Sequence, residues 1–93
     1  MHTVRQAPTH HEVRQRLASL LTEIAKIPTE RITDSATVDE DLQMQSVAFV
    51  ELLVALEEEY QIEIDPLMVV ELNDFGRIAD YIYQEIANGI ARH

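Results

Sequence analysis

The sequence predicts an all-α domain with four helices, three long and one short, and a long loop between the first and second. Two observations carry this. Three segments repeat their apolar residues with the 3.6-residue helical period. No segment has sustained strand alternation; Gln61-Ile62-Glu63-Ile64 alternates but is too brief.

Residues 1–8 show no periodicity and are expected to be a loose tail. Thr9-His10-His11-Glu12 then fits a capping box, in which the Thr9 hydroxyl accepts from the Glu12 amide and the Glu12 carboxylate reaches back. Val13, Leu17, Leu20, Leu21 and Ile24 follow on one helical face. Pro28 disfavours helical geometry at Ile27 and has no amide to donate, so the helix is expected to stop there.

Residues 28–45 read as a connection, long enough that it must be packed or functional. Ile32, Val38, Leu42 and Met44 are placed to peg it to the core, while Thr33, Asp34, Ser35 and Asp39 supply turn chemistry. Residues 46–60 form the strongest helix, opening at Ser46. On a helical wheel Phe49, Leu52, Leu53, Leu56 and Tyr60 fall within an arc of roughly 100°, the expected buried stripe. Val47, Val50 and Val54 fall on a different face, with Glu51, Glu57 and Glu58 among and beside them. One helix therefore carries two apolar stripes, the second edged by carboxylates.

Asp65-Pro66 reads as an N-cap followed by proline at the first helical position, opening a short helix through Leu72. Asp74 is expected to cap the last helix, where Phe75, Ile78, Ala79, Ile82 and Ile86 share a face, and Gly89 to end it. The domain so defined covers residues 9–88, with 89–93 as a second short tail.

Composition narrows the function. The chain has 93 residues, 46% apolar, with 7 Lys+Arg, 17 Asp+Glu, no Cys and 2 Gly. A formal charge of −10 argues against nucleic acid and against an anionic membrane surface, both of which need clustered cations. Two glycines make no phosphate loop, and no apolar run reaches spanning length. Lacking cysteine, the chain carries no disulfide framework, thiolate metal site or thiol nucleophile. What remains is a small acidic domain, expected in the cytoplasm and as a monomer. Its charge is uneven: residues 39–93 hold thirteen acids against Arg77 and Arg92, net −11, while residues 1–38 carry +1. Such a surface is either simply solvated or a docking face for basic partners.

Catalytic readings fail on residue types. His2, His10, His11 and His93 lie at or near the ends, so a serine nucleophile would lack its base. Carboxylates are plentiful, but acid–base work needs a cleft that raises one pKa, for which a bundle this small has little room. Adjacent His10 and His11 point to different sides of a helix, so no metal site is expected there. Asp39-Glu40-Asp41 resembles a calcium loop only in charge, with no glycine for its turn.

Ser46 stands out. Alone it reads as an ordinary helix-start serine. Here it follows a long acidic loop and opens a helix with an exposed valine stripe and a carboxylate rim. An anionic group attached at a helix N-terminus is favoured by the free amides and the macrodipole.

The ordered set Asp41-Leu42-Gln43-Met44-Gln45-Ser46-Val47, Val50-Glu51-Leu52, Ala55-Leu56-Glu57-Glu58-Glu59-Tyr60, Ile62-Glu63-Ile64, Phe75-Gly76 and Asp80-Tyr81-Ile82 resembles the acyl carrier protein family, including peptidyl carrier domains. The resemblance runs from about Asp41 to Ile82. It implies a four-helix acyl-carrier-type bundle and a carrier rather than an enzyme. By position, Ser46 is the attachment point for 4′-phosphopantetheine, donated from coenzyme A by a phosphopantetheinyl transferase. The arm's thiol would hold an acyl or aminoacyl group as a thioester, which reconciles thioester chemistry with a chain free of cysteine. Val47, Val50, Glu51, Val54, Glu57 and Glu58 occupy the helix that such carriers present to basic loading and transfer enzymes. Phe49, Leu53 and Leu56 are candidates to line the space that holds acyl chains in fatty-acid carriers.

Three residues depart from the family's D-L-G-x-D-S-L pattern: Gln43 stands for glycine, Gln45 for the aspartate before the serine, and Val47 for the leucine after it. Phe49 is bulky where a small residue is common; it either fills the acyl space or simply packs the core. The departures point to a specialised or secondary-metabolite pathway rather than housekeeping fatty-acid synthesis. The length favours a discrete protein over an excised domain. Gln45 keeps a second class open: an acidic adaptor of the same fold that has lost the arm.

Overall fold

Thr9 starts the first helix through the full capping box: its hydroxyl accepts from the Glu12 amide at 3.1 Å, and its own amide donates to Glu12 at 2.8 Å. In a computed structural model, which describes residues 8–91, the chain forms α1 (His10–Ala25), α2 (Ser46–Tyr60), α3 (Pro66–Leu72) and α4 (Phe75–Ala91). A single 3-10 turn, Thr29–Arg31, follows α1. Most of the expected N-terminal tail, with His2, and the last two residues, with His93, lie outside the described residues.

α1 packs against both α2 and α4, and α3 lies on α4. The expected faces are the buried ones. Val13, Leu17, Leu20 and Leu21 of α1 meet Leu52, Leu53 and Leu56 of α2 and Phe75, Ile78, Ala79, Ile82 and Ile86 of α4. Val69 is the buried residue of α3. Asp65 caps α3 by accepting from the Leu67 amide at 2.9 Å, and Asp74 caps α4 by accepting from the Arg77 amide at 2.8 Å. Arg16 of α1 bonds both carboxylate oxygens of Glu59 of α2 at 2.9 Å, which raises the guanidinium's affinity for its proton. Burial pushes the neighbouring Tyr60 hydroxyl up.

The long connection is pegged as its apolar spacing predicted. Leu42 is buried, and Ile32, Val38 and Met44 pack against the core; Ala36, not singled out in the sequence, is buried as well. Backbone bonds tie the loop to the α3–α4 junction: Val38 donates to Asn73 at 2.8 Å, Phe75 to Ala36 at 2.9 Å and Gly76 to Asp34 at 2.9 Å. A side chain at Gly76 would put its Cβ 3.2 Å from the Asp34 carbonyl, tighter than most such contacts, so glycine permits this close approach.

Two boundaries differ from expectation. α1 ends at Ala25 rather than Ile27, because Lys26 turns left-handed (φ 61°) and lets Ile27 fold back into the core. α4 does not stop at Gly89 but continues to Ala91. Neither glycine has a positive φ; that conformation falls to Lys26, Gln43, Gln61 and Asn73. A left-handed residue with a Cβ costs about 1–2 kcal/mol. Gln43→Gly, at φ 48°, is therefore expected to raise stability by about 0.5–1 kcal/mol, the relief exceeding the added unfolded-state entropy. Urea midpoints check this, and an unchanged or lower midpoint contradicts it.

Candidate functional site

The loop is fixed just before the site. The Asp41 carboxylate accepts from the Thr37 amide at 2.9 Å and its hydroxyl at 3.2 Å, and Arg31 donates to the Asp41 carbonyl at 3.0 Å. Leu42 is buried, Gln43 makes the left-handed turn, and the Met44 amide returns to the Val38 carbonyl at 3.3 Å. Gln45 is then extended and serves as the N-cap of α2; its carbonyl accepts from Phe49 at 2.9 Å.

Ser46 is the first helical residue, exposed to solvent. The Gln45 side chain makes no capping bond, and the first turn holds no acid. The positive end of α2 is thus opposed by neither a capping side chain nor a first-turn carboxylate. Of the chain's three serines, Ser19 lies within α1 and Ser35 in a loop turn, so only Ser46 opens a helix. No histidine lies between His11 and His93, and His10 turns instead to Asp80 and Tyr83 of α4. Among the described residues, no histidine is hydrogen-bonded to the Ser46 hydroxyl as a general base.

From Ser46 the two faces of α2 diverge as the wheel predicts. Leu52, Leu53 and Leu56 are buried and Phe49 is half-buried. Val47, Val50 and Val54 are 71%, 57% and 44% exposed, too much for core residues. Glu51 and Glu58 are exposed and make no ion pair among the described residues. Glu57 is different. It is half-buried, and its carboxylate accepts from the Ile64 amide at 2.9 Å, holding the α2–α3 connection.

Sequence reasoning missed the second apolar surface. Leu67, Met68 and Val70 of α3 are exposed. The signal was available: after Pro66, only Glu71 among the residues of α3 is polar, and a helix this short buries one side. No lysine or arginine lies between Arg31 and Arg77, so every charged residue that α2 and α3 themselves carry is a carboxylate.

Comparisons with known proteins agree with this arrangement. A family model described as "Phosphopantetheine attachment site" matches residues 15–82. The acyl carrier protein of Buchnera aphidicola is 33% identical over 72 residues, covering 77% of this chain and 91% of that one. The acyl carrier protein of Acidothermus cellulolyticus is 33% identical over 76 residues, covering 82% and 90%. The solved structure of the acyl carrier protein from Enterococcus faecalis superposes with a TM-score of 0.68 at 27% identity, covering 84% of this chain and 99% of that one. The chain belongs to the acyl carrier protein family: it is a carrier and not an enzyme, and its prosthetic group is a covalently attached 4′-phosphopantetheine.

Proposed function

We propose that Ser46 is the attachment residue, esterified from coenzyme A by a phosphopantetheinyl transferase. When bound, the arm supplies a terminal thiol that holds the acyl or aminoacyl group as a thioester. The observation that carries the reading is the exposed Ser46 hydroxyl at the uncapped, acid-free first turn of α2. A phosphodiester there faces free amides and the positive end of the macrodipole, so this chain's residues fit the group electrostatically. Val47, Val50, Glu51, Val54 and Glu58 then meet the transferase and the acyl-handling enzymes, whose basic surfaces complement the acidic rim. Glu57 adds its charge to this face while its carboxylate holds the Ile64 amide.

The pathway we propose is a specialised or secondary-metabolite one. Gln43, Gln45 and Val47 support it, since all three depart from the family pattern around the serine. We further propose that the carrier domain spans residues 9–88, is monomeric and works in the cytoplasm, in keeping with its bacterial relatives. None of the helices is long and apolar enough to cross a membrane among the described residues.

Incubation with coenzyme A and a broad-specificity transferase is expected to raise the intact mass by one arm, and Ser46→Ala to abolish the gain. A wild-type chain left unmodified, while control carriers react, favours the arm-less adaptor that Gln45 keeps in view.

A further inference from the structure

Phe49 lies one turn below Ser46 on the inward side of α2. With Leu42 and Met44 of the loop, Leu53 and Leu56 of α2 and Phe75 of α4, it lines an apolar gap between the helices. The gap measures about 10 Å³. A single water needs roughly 10–15 Å³ by this measure, and a methylene is of similar size. An apolar chain tethered at Ser46 gains by leaving water in proportion to the area it buries. Here the space beside its tether is only about 10 Å³, and protein interiors are packed too closely to absorb several methylenes without rearrangement. Entry requires the lining side chains, Phe49 among them, to move or the helices to part.

We propose that Phe49 closes this gap and limits the cargo. The acyl unit this carrier accepts is small or polar, with too little apolar surface to need shelter, and it stays in water outside the helices. This rests on the carrier reading of Ser46 and deepens it to a class of substrate.

The test uses the chain loaded at Ser46 with an acetyl or an octanoyl pantetheine arm, loading being verified by intact mass. In the wild type, the Leu53 and Leu56 methyl resonances are expected to coincide between the two forms, with unfolding midpoints within about 1 °C. In Phe49→Ala, octanoylation is expected to displace those resonances and raise the midpoint by about 5 °C or more over the acetyl form. Wild-type methyls and midpoint that respond to octanoylation as strongly as the variant's would overturn the proposal. Phe49→Leu is measured alongside, because alanine removes much of a small core.

A second arm needs no loading. Benzene added to the unmodified chain is expected to shift the same methyls in the Phe49 variants and leave the wild type unchanged; benzene entering the wild type equally overturns the proposal. Failure to load registers in the mass and counts against Ser46 as the tether, and the benzene result still decides on Phe49.

Discussion

Leu56→Ala is expected to destabilise the bundle by about 3–5 kcal/mol, the range for a buried leucine whose cavity cannot collapse. Leu56 is 0% exposed, on the buried face of α2 with Leu52 and Leu53. It also borders the interhelical gap, so its loss enlarges an existing void rather than drawing neighbours in. A small domain holds about 5–15 kcal/mol in total, and one of 93 residues has little surplus. At about 4–8 °C per kcal/mol, the midpoint should fall by about 12 °C or more. Val54→Ala is the matched control. It lies two residues earlier on the same helix but is 44% exposed, and its change should stay within about 0.5 kcal/mol. Thermal and urea unfolding of both variants give the comparison; equal losses would contradict the two-stripe reading of α2.

The second large effect is on association. Glu51→Lys combined with Glu58→Lys is expected to slow binding to the phosphopantetheinyl transferase by about tenfold or more at low salt, within the range attributed to electrostatic steering. Both carboxylates are exposed and free of ion pairs among the described residues, so reversal breaks no ion pair there. Neither α2 nor the segments on either side of it, from Ile32 to Gly76, supply a lysine or arginine to offset their charge. Screening shortens that reach to about 8 Å at physiological ionic strength, so the difference should shrink as salt rises. Stopped-flow association rates across ionic strength check this; rates unchanged by reversal would remove the steering argument. Glu57→Lys belongs in a separate experiment, because that carboxylate also holds the Ile64 amide.

What the sequence disclosed follows the physics each residue obeys. The α1 capping box and the α4 face were legible because both are local: four consecutive residues in one case, a helical repeat in the other. The place of Ser46 at the start of α2 and the exposure of the valine stripe were legible for the same reason, and the loop pegs because apolar residues in a polar stretch have one use. The ends of α1 and α4 were not. Glycine marks a helix stop only where the backbone must turn left-handed, and here Lys26, Gln61 and Asn73 make those turns while Gly89 stays helical. That α3 leaves an apolar face exposed was readable from its composition; which face depended on the side that met α4, a tertiary fact. The Glu57 bond to Ile64 likewise joins residues seven apart across a chain reversal, where no helical wheel can show it.

The central claim is that one hydroxyl, at the first residue of α2, bears the arm. Peptide-level mass spectrometry of the protein purified from cells that make it tests this most directly. The account predicts the phosphopantetheine mass on the fragment containing Ser46, and on none containing Ser19 or Ser35. The arm found on either of those serines, or a Ser46 fragment always bare while the pathway runs, would contradict it.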